Sequence, residues 1–97
     1  MKSKKTVIEI IEEVKELMKQ AGYLEETIRR YNFCWNAFLE FSDGNKPFSS
    51  EIALNFLKNK YGITAFTELS KTDGIRARAI QFLCEYNQYG RFSLAKI

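Results

Sequence analysis

Two cysteines, a run of glutamates and a set of arginines and lysines are the side chains of this 97-residue sequence that could do chemistry. We do not expect catalysis, because the sequence contains no histidine, the most common general base and zinc ligand. Cys34 and Cys84 have no neighbouring cysteine that would complete a zinc site, and the glycines do not match a phosphate-binding loop. Glu12, Glu13 and Glu16 are typical of the solvated face of an amphipathic helix. The chain is therefore predicted to hold no catalytic residue, metal or cofactor.

The basic side chains indicate another kind of chemistry, the binding of phosphate groups. The chain has 15 Lys and Arg against 12 Asp and Glu, a net charge of +3 at pH 7. This excess alone is weak evidence for a nucleic-acid partner. The bias is stronger toward the C-terminus, where the basic residues are Lys71, Arg76, Arg78, Arg91 and Lys96. Lys2, Lys4 and Lys5 form a basic start that is either a flexible arm or a solubilising end.

Four helices are predicted to position these side chains. Apolar residues recur at spacings of three and four over about residues 5–21, 24–41, 49–61 and 70–89. A glycine follows three of the segments, as at many helix ends: Gly22, Gly62 and Gly90. Ser49 or Ser50 is expected to cap the third helix, and the connector 63–69 is expected to pack onto the other elements. The predicted fold is all-α, a compact four-helix bundle forming one domain.

The second and fourth helices have recognisable apolar faces. The residues predicted to point inward from the second are Leu24, Ile28, Tyr31, Trp35 and Phe38, broadened by Leu39 and Phe41. Those of the fourth are Ile75, Ala79, Phe82, Leu83 and Tyr86. Trp35 is in line with this face and is therefore interpreted as a core residue and not as a stacking platform. The cysteines lie within apolar patterns, which indicates buried, reduced thiols and, with no apolar run of about 20 residues, a cytoplasmic protein.

The order of the motifs resembles one protein family. The motifs are GYLEETIRRY at 22–31, WNAF at 35–38, FSSEIALNFL at 48–57, RARAIQFL at 76–83, and a tyrosine and glycine at 89–90. Over about residues 7–92 the chain resembles the N-terminal core-binding domain, or SAM-like domain, of phage-type tyrosine recombinases (integrases). Leu24 departs from the family pattern, which has a hydroxyl residue there that caps the second helix.

The resemblance implies a division of labour between two domains. In this family the helical domain and a larger C-terminal domain clamp the DNA crossover site. The C-terminal domain holds the catalytic residues, including the tyrosine that forms a covalent phosphotyrosyl–DNA intermediate, and none of them maps onto this chain. The implied partners are double-stranded DNA at a recombination site, the parent protein's catalytic domain and other recombinase subunits. On this interpretation 1–92 is the DNA-gripping domain, and 93–97 begins a linker to an absent catalytic domain.

The resemblance also implies that the second and fourth helices face the major groove of DNA. The candidate DNA-binding residues are Arg29, Arg30 and Asn36 on the second helix and Lys71, Arg76, Arg78 and Gln81 on the fourth. On the fourth helix, the side chains opposite the apolar face are Lys71, Arg78, Gln81 and Glu85. Arg78 has no acidic residue one turn away, so an intrahelical ion pair does not account for it.

The other candidates have structural explanations that the sequence leaves open. Asp73 precedes Arg76 by three residues, and glutamates precede Arg29 and Arg30 by four, so each arginine has a possible ion-pair partner. Such a pair contributes only about 0.2–0.5 kcal/mol, too little to stop an arginine from turning to a phosphate. Asn36 is suited to reading a base edge but is equally explained as a solvated side chain.

The alternative function is that of a small helical protein-interaction or regulatory bundle from a mobile element. It predicts an exposed apolar patch, for which Ile8 and Phe33 are the candidates because both lie off the apolar faces of their helices. A membrane-surface role for the first helix is disfavoured, because its polar side carries four glutamates that an anionic bilayer would repel.

Overall fold

Four helices account for most of the residues described by the computed structural model, which are 5–64 and 69–90. They are α1 (Val7–Gln20), α2 (Glu25–Ser42), α3 (Ser50–Tyr61) and α4 (Lys71–Tyr89). Each end lies within about two residues of its predicted place, which is the usual uncertainty of a helix boundary. Within the described ranges there is no strand beyond one isolated bridge between Thr6 and Pro47. The all-helical prediction is confirmed.

Polar side chains cap the N-termini of three of the helices. Thr6 and Glu9 form a capping box at α1, in which the Thr6 hydroxyl accepts the Glu9 N–H and the Glu9 carboxylate accepts the Thr6 N–H. The hydroxyl of Ser49 accepts the N–H of Ile52 at 3.1 Å, and Ser70 caps α4 in the same way. At α2 the capping position is occupied by Leu24, which forms no such bond. The absence of a side-chain cap at Leu24 is therefore confirmed.

The loop after α2 fixes the start of α1. The carbonyls of Lys46 and Gly44 accept the N–H groups of Val7 and Ile8 at 2.9 and 3.1 Å, so two donors that a helix start leaves unpaired are satisfied by this loop. Gly44 is required by close approach, because a Cβ there would lie 2.6 Å from Cγ1 of Ile8 and 2.7 Å from Cδ2 of Leu39. The loop thereby holds the start of α1 against the end of α2.

The core lies between all four helices and is rich in aromatic side chains. Its largest fully buried members are Trp35, Phe38 and Phe56, and the rings of Phe38 and Phe56 lie 5.2 Å apart. The radius of gyration, 12.7 Å, is close to the roughly 13 Å expected of a compact domain of this length. The chain is therefore a compact helical bundle. No helix among the described residues is long and apolar enough to cross a membrane.

Two inward assignments on α2 were wrong. Leu24 is 73% exposed and Phe41 is 44% exposed, because both stand at ends of the helix, although the Phe41 ring still lies 5.4 Å from that of Phe56 on α3. On α4 the helix is rotated so that Ala77 and Ile80 are also buried, while Glu85, predicted on the outer face, is half-buried. A large side chain at a helix end can therefore fit the apolar periodicity of the helix and still be only partly covered by other residues.

The remaining expectations are met in part. Cys34 is buried and Cys84 half-buried, and both thiols are free. In the connector, Ile63 is buried and Leu69 packs against the core, whereas residues 65–68 lie outside the described part. The basic start at Lys2 and Lys4 and the predicted linker 93–97 lie outside it as well.

Candidate nucleic-acid interface

All the predicted DNA contacts lie on α2 and α4, which pack directly on each other. The indole Nε1 of Trp35 donates a 3.0 Å hydrogen bond to the main-chain carbonyl of Ala79. One turn earlier on α2, the ring of Tyr31 lies 5.6 Å from that of Phe82, which is later on α4. The two helices are therefore antiparallel, and the first half of α4 lies beside the middle and end of α2.

The thiol of Cys34 lies at this helix contact and is chemically inert there. It lies 3.8 Å from the main-chain carbonyl of Arg76, to which it donates a weak hydrogen bond. Burial raises the pKa of Cys34 to about 12, against the smaller opposing effect of the Arg76 charge. At neutral pH the thiol is therefore protonated and is neither a nucleophile nor a metal ligand.

An open groove runs between α2 and α4 and has a volume of about 570 Å³. We call it the α2–α4 groove. Its lining combines cationic, aromatic and apolar side chains: Arg30, Phe33, Cys34, Ala37, Tyr61, Lys71, Thr72, Ile75 and Arg76. Three of the predicted DNA-binding residues thus share one concave surface. The groove meets the start of α4, whose first N–H groups carry the positive end of the helix dipole.

Arg76 is the most firmly held of the three cations. Its Nη1 donates a 3.0 Å hydrogen bond to Oδ1 of Asp73, as the sequence spacing predicted. Its guanidinium carbon lies 4.2 Å from the centre of the Tyr61 ring, a cation–π contact. Burial raises the pKa of Tyr61, while the Arg76 charge acts in the opposite direction. A guanidinium has five N–H donors, so these contacts orient Arg76 without exhausting its capacity to bind an anion.

Arg30 and Lys71 are held less tightly. Arg30 forms the predicted pair with Glu26, with 2.9 Å between Nη2 and Oε2, but both side chains are more than 60% exposed. Such an exposed pair contributes little and exchanges readily for a phosphate. Lys71 is exposed at the first position of α4 and has no ion-pair partner among the described residues. These two side chains are therefore available at the mouth of the groove.

The other four candidates lie outside the groove. Arg29 and Asn36 are exposed on α2, and the predicted pair between Glu25 and Arg29 does not form. Gln81 is exposed on α4, where its Nε2 donates a 3.3 Å hydrogen bond to Glu85. Arg78 is also exposed. Burial raises the pKa of the Tyr31 phenol and the charge of Arg78 acts in the opposite direction, so Arg78 lies close to α2. The seven candidates thus divide into a groove set and a flanking set.

The groove contains two aromatic residues that were not proposed as ligand contacts. Phe33 is 76% exposed, which is unusual for a large apolar side chain. Tyr61 comes from the end of α3 and was not among the predicted contacts. The signal for Phe33 was present in the sequence, because it lies off the apolar face of α2 among Arg29, Arg30 and Asn36.

A second polar cluster joins the start of the chain to α1 and α4. Nζ of Lys5 lies 2.6 Å from Oε1 of Glu13, and the Tyr86 hydroxyl donates to the same carboxylate. The hydrogen bonds from Lys5 and Tyr86 lower the pKa of Glu13, whereas the carboxylate raises the pKa values of both partners. Glu13, predicted on a solvated helix face, is still 38% exposed but also has these two partners. Its contacts connect elements and give no sign of acid–base chemistry.

The described part of the chain contains no cluster of side chains suited to hold a metal ion. Within the described residues, the α2–α4 groove combines a concave shape with cationic side chains. No protein-family model matches this chain, and no curated protein or solved structure matches it either.

Proposed function

We propose that this chain binds double-stranded DNA through the α2–α4 surface, as the helical DNA-gripping module of a site-specific tyrosine recombinase. The observation that carries the proposal is the convergence of Arg30, Lys71 and Arg76 on one groove between two helices. Groups of Arg and Lys on one face are the electrostatic footprint of a nucleic-acid-binding protein. The recombinase assignment rests on the resemblance of the sequence motifs.

Phosphate contacts supply most of the binding free energy in this proposal. The groove cations and the flanking Arg29 and Arg78 displace counterions from the DNA backbone, so affinity falls steeply as salt rises. Asn36 and Gln81 are the side chains with the donor and acceptor pairs needed to read a base edge. Only a few contacts therefore read the base sequence of the DNA. The covalent chemistry of recombination belongs to the separate catalytic domain.

The test is a fluorescence-anisotropy titration of a short labelled duplex at salt concentrations between about 50 and 200 mM. We expect Arg30→Gln and Lys71→Gln each to weaken binding and to reduce the slope of log affinity against log salt by about 0.9. Lys46→Gln is the matched control, because Lys46 is also exposed but lies in the loop after α2 and does not line the groove. Equal losses for all three variants would mean that the effect is one of net charge and that the α2–α4 surface is not the interface.

The alternative, a protein-interaction bundle, is favoured by one observation. Both predicted patch residues are exposed, Phe33 at 76% and Ile8 at 42%. They do not form one patch, however, since Phe33 lines the α2–α4 groove and Ile8 lies beside Gly44 and Leu39. If the duplex does not bind at low salt and the chain self-associates in sedimentation, with Phe33→Ala abolishing the association, this alternative replaces the first.

A further inference from the structure

We infer that the α2–α4 groove accepts an unstacked nucleotide of a DNA strand, with its base against Phe33 and its phosphate between Arg30, Lys71 and Arg76. The inference rests on the proposed DNA-binding function and specifies which part of the DNA enters the groove. It follows from a juxtaposition that duplex binding leaves unexplained. An exposed aromatic ring stands in a groove that three cations also line.

The size of the groove suits a single small group. A volume of about 570 Å³ lies within the range of roughly 300–1,000 Å³ that is usual for small-ligand sites. In an intact duplex the bases are stacked inside and the phosphates lie on a convex surface. A duplex can therefore touch the rim at Arg30 and Lys71, whereas the apolar floor formed by Cys34 and Ala37 is reached only by a group that projects from the strand.

The chemistry of the lining matches a base and a phosphate together. Phe33 offers a ring face that any base can stack on, irrespective of its sequence. The cations line the same groove from both helices, and Arg76 is already oriented by Asp73 and Tyr61. Lys71 and Thr72 occupy the first turn of α4, whose N–H groups add further donors for a phosphate. Proteins that bind single strands combine the same two features, aromatic platforms and a cationic groove.

The experiment compares two labelled hairpin duplexes that differ by a single unpaired adenine. We expect the full chain to bind the hairpin with the unpaired base more tightly. Phe33→Ala should remove this preference, a loss of about five- to one-hundredfold in affinity for the hairpin with the unpaired base. Phe33→Tyr should retain it. Tyr89→Ala is the control, because Tyr89 is 66% exposed on α4 but is not part of the groove.

Several results would overturn the inference. One is equal binding of both hairpins, with the salt dependence and the Lys71→Gln effect intact; the duplex-binding proposal would then survive. A second is that free adenosine monophosphate competes as well as the unpaired base, which would make the groove a site for free nucleotides. A third is displacement by an acidic, leucine-containing peptide at lower concentration than by the oligonucleotide, which would make it a peptide site. If neither hairpin binds at any salt concentration, the inference and the proposed function both fail.

Discussion

At the scale of single residues, side chains of the same type differ in their burial and in their hydrogen-bond partners. Tyr31 is buried in the core and Tyr23, Tyr61 and Tyr86 pack against it, yet their hydroxyl groups have different surroundings. That of Tyr86 donates to Glu13. That of Tyr23 is buried and has no hydrogen-bond partner. Because a buried polar group without a partner costs free energy, Tyr23 is a place where the fold is less stable than it could be.

We therefore predict that Tyr23→Phe stabilises the protein. The ring contact with Phe82, at 6.4 Å between centroids, remains in the variant, and only the unpaired hydroxyl is lost. The expected gain in the free energy of unfolding is about 1 kcal/mol, measured by urea denaturation. Tyr86→Phe is the matched comparison and should lose stability, because its hydroxyl has a partner. A loss of stability in Tyr23→Phe would show that its hydroxyl does form a hydrogen bond in the folded protein.

The cations show the limit of what the sequence can predict at this scale. Arg76 and Arg78 are two positions apart, so they point to different sides of α4, and only Arg76 enters the groove. Which of them enters the groove depends on the rotation of the helix, which is set by the burial of Ala79, Ile80 and Leu83 against the other helices. A periodic pattern gives the apolar face of a helix but does not give the neighbour opposite each polar position.

At the scale of elements, the ends of the helices were the most predictable part of the fold. They depend on local chemistry, as at Ser49, whose hydroxyl caps α3, and at Gly22, whose φ of +91° suits a residue without a Cβ. The exposure of Leu24 and Phe41 could not be predicted, because it depends on where neighbouring helices stop. The groove required a third element as well, since Tyr61 reaches it from the end of α3.

The missing cap at α2 gives a prediction at this scale. Leu24 has the extended backbone of a capping residue, with φ −64° and ψ 145°, and its side chain is 73% exposed. Leu24→Ser should place a hydroxyl where it accepts an N–H of the first turn, and so raise the free energy of unfolding by about 0.5–2 kcal/mol. Thermal unfolding followed by circular dichroism measures it. Ser49→Ala, which removes an existing cap from α3, should change stability by a similar amount in the opposite direction. If Leu24→Ser destabilises the fold, the exposed leucine makes contacts that the cap does not replace.

At the scale of the whole molecule, the groove exists only because two helices are held at a fixed separation. Trp35 is the side chain that spans this contact, since it is fully buried and its indole donates to the carbonyl of Ala79. No part of Trp35 lines the groove. Stability and DNA binding are therefore coupled through a residue that touches no ligand, whereas Phe33 belongs to the groove and contributes little to the core.

Variants of these two residues give the last prediction. Trp35→Phe removes a hydrogen bond and leaves a cavity, so it should lower the free energy of unfolding by about 2–3 kcal/mol. A domain of this size is stable by about 5–15 kcal/mol, so the variant should remain folded at room temperature. Its duplex affinity should fall nonetheless, because α2 and α4 no longer hold Arg30 and Arg76 in register. Phe33→Ala, by contrast, should change stability by less than about 0.5 kcal/mol, as is usual for an exposed position. Urea denaturation and anisotropy on the same two variants measure both effects, and unaltered duplex affinity in a folded Trp35→Phe protein would mean that the interface does not depend on the α2–α4 contact.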